Sequence, residues 1–237
     1  MNSKPGRLYL IPVFLSDTRP DKVFPDYNFA VIEKLRYFIA EHEKTARRFI
    51  KKVAPQVVQS ELQFYILNKH TNPAEIGRFL QPLENGLDMG LLSDSGMPAV
   101  ADPGAAVVRI AHKRGIKVVP LVGPSSVILA LAASGLNGQH FEFHGYLPID
   151  KGQLIHKIKK LAKDTLSSGK TQIFIETPYR NDKIFNFLLK HLPEDMSLCI
   201  AIDITGENEQ IKTKTVSQWK RTPVKIGKIP AIFLFGR

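Results

Sequence analysis

Small, turn-forming residues gather at four borders of apolar runs. They are Ser93-Asp94-Ser95-Gly96-Met97-Pro98 with Asp102-Pro103-Gly104, then Gly123-Pro124-Ser125-Ser126, Glu176-Thr177-Pro178-Tyr179-Arg180, and Ile229-Pro230-Ala231. The first two leave an apolar strand and enter a helix, which is where an open α/β sheet holds a ligand, beyond the carboxyl ends of its strands. Asp102 suits a helix cap and Pro103 the first helical position. His112-Lys113-Arg114 place positive charge at the last turn before Gly115 ends it. Each segment taken alone is also ordinary turn chemistry; Thr177 before Pro178, for instance, is a good cap with no further duty. Other chemistries lack their residues. There is no G-x-x-x-x-G-K-[ST] loop, no G-x-G-x-x-G after the first strand and no G-x-S-x-G elbow. The seven histidines show no metal-ligand spacing, so no metal is expected. His42, between Glu41 and Glu43, reads as part of a salt-bridged surface.

The elements that must position these loops follow from apolar patterning. Strands are expected at Leu8–Ile11, Tyr37–Ala40, Phe64–Leu67, Asp88–Leu92 and Ile116–Leu121, alternating with helical segments such as Asn28–Leu35 and the basic Thr45–Val53. That alternation predicts a mostly parallel sheet. Asn72-Pro73-Ala74-Glu75 reads as a helix start with a capping box. After Asn137 the pattern is more mixed. Strands at Phe141–Tyr146, Gln172–Ile175, Leu198–Ile204 and Ala231–Phe235 are separated by helices at Gln153–Leu166 and Pro178–Leu192, with a hairpin-like stretch over Lys212–Trp219. The expectation is two α/β domains, residues 1–137 and 138–237, the first sheet mostly parallel and the second mixed.

Composition narrows the setting. Lys and Arg outnumber Asp and Glu 33 to 22, a net charge of +11. Such an excess favours polyanions, RNA above all, over a surface that is basic only for solubility. Two runs concentrate it: Lys44, Arg47, Arg48, Lys51 and Lys52, then Lys151, Lys157, Lys159, Lys160 and Lys163. No apolar run approaches the roughly 18–20 residues of a membrane span, and the short apolar run after Met1–Arg7 is too brief for a signal peptide. The lone Cys199 lies in an apolar strand and reads as a buried small hydrophobe. Together these features point to a cytoplasmic protein without membrane partners.

In order and spacing the four loop segments resemble the tetrapyrrole-methylase superfamily of S-adenosylmethionine-dependent methyltransferases. They are most similar to the branch that methylates a cytidine 2′-hydroxyl in small-subunit ribosomal RNA. That branch carries Ser-Asp-Ala-Gly-Thr-Pro, Asp-Pro-Gly, Gly-Pro-Ser and Glu-Ser-Pro-His-Arg. The resemblance implies two α/β domains with S-adenosylmethionine in the cleft between them, and a homodimer. By matching positions it implies Asp94, Gly96, Val100, Ala101, Ser125, Ser126, Thr177, Pro230 and Ala231 as cofactor contacts. Pro12 joins them, standing where the branch's Ala-Thr-Pro-Ile-Gly-Asn-Leu has its proline.

The acceptor side departs further from the pattern. Ala40-Glu41-His42-Glu43-Lys44 stands for Ala-Glu-Asp-Thr-Arg, Tyr179 for a histidine, and Asp203-Ile204-Thr205-Gly206 for Glu-Leu-Thr-Lys. Glu41 is the candidate catalytic residue, as base or as a carboxylate that positions the acceptor; pairing with Lys44 or Arg48 is its plainer alternative. Lys44, Arg48 and Arg180 are candidates for holding phosphates. Two rival functions share the fold: methylation of a tetrapyrrole, and cofactor binding with catalysis lost.

Overall fold

The alternation in the first half becomes a five-stranded sheet in which every pair is parallel. The computed structural model describes residues 4–237; Met1, Asn2 and Ser3 of the N-terminal segment lie outside them. Strands β1 (Arg7–Ile11), β2 (Tyr37–Ala40), β3 (Gln63–Ile66), β4 (Met89–Leu92) and β5 (Lys117–Pro120) lie in the order β3-β2-β4-β1-β5. Helices α1 (Asp26–Ile32), α2 (Glu43–Val53), α3 (Gln81–Glu84) and α4 (Gly104–Lys113) connect them.

Alternate residues of each strand feed opposite faces. Tyr9, Ile11 and Phe38 pack with Val31, Ala46, Phe49 and Ile50 of α1 and α2. Leu8, Ile39, Met89 and Leu91 pack with Val107 and Ala111 of α4. Central β4 is buried throughout. A Cβ on its Gly90 would come within 2.6 Å of Ile11 and 2.8 Å of Phe38, so only glycine fits.

The strand order decides where a ligand can sit. After β2 the chain runs to the outer strand β3 through α2, on one face. After β4 it runs the other way to β5 through α4, on the opposite face. Connections that part in this way open a crevice at the carboxyl ends of the adjacent strands β2 and β4.

The second sheet is mixed, as expected. Its elements are α5 (Ser126–Ser134), β6 (Phe141–Tyr146), α6 (Lys151–Ser168), β7 (Thr171–Ile175), α7 (Asn181–His191), β8 (Ser197–Ile202), β9 (Gln210–Thr215), α8 (Val216–Arg221) and β10 (Ala231–Gly236). The order is β6-β7-β10-β8-β9, with only β6 and β7 parallel. Phe174, Phe233 and Phe235 face α6, α7 and α8. Ile173, Cys199, Ala201 and Leu234 face α5. Cys199 is fully buried, as its apolar neighbours imply.

Three local expectations change. The chain divides into one unit of the residues up to Phe14 with Thr18–Pro124, and another of Leu15–Asp17 with Ser125–Arg237. The Gly-containing stretch after Ser134 suggested a later boundary, at residue 137. Yet Val127, Ala130 and Leu131 of α5 pack on the second sheet, so this helix belongs to it. Asn72 starts no helix: its side chain accepts the Ala74 N–H at 3.1 Å in a local turn, the bond with which Asn competes against helix. Lys212–Trp219 is not a hairpin but strand β9 followed by α8, started by a Thr215–Gln218 capping box.

Candidate active site

The loop after β4 is stitched to β1 and tied to itself. Val13 and Gly96 exchange backbone hydrogen bonds of 2.9 and 3.1 Å. The buried Ser93 hydroxyl donates to the carbonyls of Ser95 and Gly96 at 3.1 and 3.2 Å. Gly96, Ala99 and Ala101 all have left-handed backbones, with φ of 71°, 66° and 62°. Glycine takes that conformation freely, whereas each alanine costs about 1–2 kcal/mol. Asp102 holds the strained turn: its carboxylate accepts the Ala99 N–H at 2.9 Å and the Gly104 N–H at 2.7 Å. Burial pushes its carboxyl above the usual range, against those two bonds. Asp102 therefore sits one residue earlier than expected, with Pro103 in the cap position and the helix beginning at Gly104. Val100 and Ala101 are exposed.

In the crevice between β2 and β4, three side chains meet across the two loops. Glu41 accepts the Asp94 N–H at 3.3 Å. His42 Nδ1 lies 2.7 Å from an Asp94 carboxylate oxygen. Burial raises the Glu41 carboxyl above its ordinary value, and the negative charges of Asp94 and Asp102 add to this. The Asp94 N–H and His42 act in the opposite direction. Lys44 and Arg48 lie exposed on α2, one turn apart, and neither pairs with Glu41. The neighbouring Arg47 is structural, bonded to Glu43 at 2.8 Å and lying over the Phe64 ring. Pro12 is buried against Gly123, where a Cβ would come within 2.5 Å of the proline ring. Its visible work is packing, and it explains why position 123 is glycine. Asn28 fixes the same exit by donating to the Val122 carbonyl at 2.7 Å.

The second unit gathers its own loops by strand register. Ile232 of β10 pairs with Ile175 at the end of β7, and Ala231 pairs with Ile202 at the end of β8. Thr177, Asp203 and Pro230–Ala231 therefore share one edge. Asn181 of α7 donates to the Ile229 carbonyl at 2.7 Å, and Asp182 accepts the Ile226 N–H at 2.7 Å, fixing the approach to Pro230. The Asp203 N–H donates to the Pro230 carbonyl at 2.9 Å. Asp203 and Thr205 are left-handed, with φ of 52° and 67°, and among the described residues the buried Thr205 hydroxyl has no hydrogen-bond partner. The far end of α5 is set by Thr213, which donates to the Ser134 carbonyl at 2.7 Å. Leu136, just beyond that helix, lies against Gly236. Ser125 and Ser126, at the other end of α5, are thus directed toward the Ala231 end of β10. Neither Ser125 nor Thr177 uses its side chain as a cap.

Arg180 is less available than its sequence position suggested. It lies 3.2 Å from the buried Glu176 carboxylate, which also accepts the Thr177 N–H at 2.8 Å. Its neighbour Tyr179 is instead exposed, with Lys228 over the ring at 4.9 Å.

Sequence reading thus located the loops, set His42 on a salt-bridged surface, where it lies, and noted the Asp203–Gly206 segment without its left-handed turn. It missed Asn181 and the Asp94 partner of His42. For the turn, Asp-Ile-Thr-Gly gave a usable signal. For the Asp94 partner nothing did, because it is 52 residues away.

Known proteins agree with this architecture. The curated relatives include the ribosomal RNA small subunit methyltransferase I of Vibrio cholerae, 34% identical over 62% of this chain and 50% of that protein. The protein of the same name from Streptococcus pyogenes is 29% identical over 93% of this chain and 74% of its own length. The chain spans about half the length of several of these relatives. Among solved structures, the methyltransferase CobJ superposes with a TM-score of 0.62 at 14% identity, covering 99% of this chain and 95% of that one. Uroporphyrin-III-C-methyltransferase from Thermus thermophilus gives 0.55 at 17%, covering 98% and 92%. At such identities these two establish fold alone. A sequence profile of the tetrapyrrole (corrin/porphyrin) methylases matches residues 28–219, and the chain belongs to that family.

Proposed function

We propose that this protein is an S-adenosylmethionine-dependent methyltransferase acting on RNA, with a ribose 2′-hydroxyl of small-subunit ribosomal RNA as acceptor. The observation that carries the reading is the match along 93% of the chain to a relative named for methylating small-subunit ribosomal RNA. The net charge of +11 suits a phosphate-rich partner.

The loops fit the cofactor. At Ala99 and Ala101 a strained backbone is held open with small side chains. Among the described residues the buried Thr205 hydroxyl has no hydrogen-bond partner, in the turn that Asp203 ties to Pro230. The amino end of α5 offers free N–H groups and partial positive charge to a carboxylate. Asp94, Gly96, Val100 and Ala101 are the proposed contacts in the first unit. Ser125, Ser126, Thr177, Pro230 and Ala231 are those in the second, and Pro12 shapes its loop by packing.

When bound, the cofactor supplies a methyl group made electrophilic by its sulfonium, a chemistry that calls for no metal. The chain's task is then to align an acceptor oxygen in line with that methyl and to accept its proton. Glu41, half-buried at the crevice, is the carboxylate proposed to position the acceptor. Lys44 and Arg48 hold phosphates from α2, and Arg180 braces Glu176. A homodimer belongs to the same proposal.

Incubation with methyl-labelled cofactor and small ribosomal subunits lacking the modification, followed by digestion to nucleosides, tests it. Label in a 2′-O-methylated nucleoside supports the reading, and label on a base moves the acceptor atom. Label only on a corrin or porphyrin precursor replaces RNA with a tetrapyrrole. Binding without transfer leaves a cofactor-binding protein.

A further inference from the structure

We propose that His42 is the group that takes the proton from the acceptor hydroxyl, with Asp94 holding its ring. This rests on the methyltransferase reading above and assigns within it the step that reading leaves open.

The strand order places His42 and Asp94 on either side of the crevice beyond β2 and β4, where such sheets bind their ligands. The His42 Nδ1 is 2.7 Å from the Asp94 carboxylate, and among the described residues no hydrogen bond engages the other ring nitrogen. The His42 side chain is 65% exposed, so that nitrogen is accessible. Glu41 braces the pair from below by accepting the Asp94 N–H. Among the described residues no three His, Cys, Asp or Glu side chains are grouped as metal ligands would be, so the two stand as a pair.

A carboxylate that accepts from Nδ1–H fixes the neutral ring as the tautomer with a bare Nε2, and it stabilises the imidazolium formed later. Glu41 is less well placed for that task, since one of its oxygens is already engaged by the backbone. The charged groups around the ring are Asp94 and Glu41 from the two loops, with Glu43, Lys44 and Arg48 following on α2. Of these, Glu43 is taken up by Arg47.

In the step, the acceptor O–H bond breaks and its proton moves to His42 Nε2. The oxygen pair forms the bond to the methyl carbon as the carbon–sulfur bond breaks, and that pair stays on sulfur. The products are a methyl ether, a neutral thioether and an imidazolium, which later releases its proton to water.

His42 makes no side-chain cap bond to α2, so His42→Ala keeps the fold. Its kcat is expected to fall roughly 10²- to 10⁴-fold, the range for removal of a general base. KM for RNA and calorimetric affinity for S-adenosylhomocysteine should stay near wild type, and added imidazole should restore part of kcat. Unchanged kcat, or a loss that follows cofactor affinity and is not rescued, overturns the assignment. Nitrogen-15 NMR of the imidazole in the resting wild-type protein gives a second readout that needs no turnover. An Nδ1–H tautomer with bare Nε2 is expected, and an Nε2–H tautomer rules His42 out as base. A wild-type protein that methylates nothing defeats the methyltransferase reading itself, while the tautomer still decides the role of the pair.

Discussion

Glu41 shows how one position carries several demands. Its carboxyl is raised mainly by burial, with negative neighbours adding to the effect. A carboxyl that binds its proton more tightly in the folded state loses stability as pH rises through that raised value. Glu41→Gln removes the charge but keeps an oxygen for the Asp94 N–H. The variant should therefore melt higher than wild type at neutral pH, with the difference vanishing in acid where both are neutral; melting curves from pH 4 to about 8 check this. A second residue-scale expectation concerns Gly123→Ala. Its Cβ would meet the Pro12 ring at 2.5 Å, and overpacking of this kind costs about 1–3 kcal/mol, measurable by urea unfolding. Glu41 and Asp94 were legible as candidates from residue type and position alone. His42 was legible as part of a salt-bridged surface, and it is exposed and paired; its partner was not, because only the β2–β4 pairing brings Asp94 beside it.

At the scale of elements, the turn from Ser93 to Gly104 is the most heavily specified part of the first unit. Two left-handed alanines persist in it because Asp102 accepts N–H groups on both sides of the strain. Asp102→Ala leaves those donors unpaired and should cost roughly 1–3 kcal/mol, with faster proteolysis in the turn than at other loops. Ala101→Gly should act in the opposite sense, raising stability by about 1 kcal/mol because glycine accepts φ near 62° without strain. Most strands were legible in the sequence because four or five apolar residues bounded by Pro, Gly or Asn have few other uses. Element ownership was harder to read. α5 is apolar on nearly all sides and lies next to a glycine-containing stretch, so only its packing on Ile173, Ala201 and Leu234 assigns it to the second unit. The Arg180–Glu176 pair was not legible for a related reason, since a glutamate one turn away in sequence gives no sign of its burial.

At the scale of the whole molecule, charge and topology divide the work. Both units expose a basic helix: Lys44, Arg48 and Lys51 on α2, and Lys151, Lys159, Lys160 and Lys163 on α6. Among the described residues no helix is long and apolar enough to cross a membrane. Replacing Lys44 and Arg48 with alanine should weaken RNA binding and flatten its salt dependence by about 0.7 per lost phosphate contact on single strands. Affinity for S-adenosylhomocysteine should not change, because neither residue lies on the loops assigned to the cofactor. Equal loss of both affinities would place α2 at the cofactor instead.

Isothermal titration of the folded protein with S-adenosylhomocysteine tests the cofactor assignment, on which the rest depends, most directly. Saturable binding is expected, weakened at least about tenfold (1.4 kcal/mol) by bulky replacement of either Ala101 in the first unit or Ser126 in the second. Absence of binding heat at several temperatures, or affinity indifferent to both replacements, would contradict it.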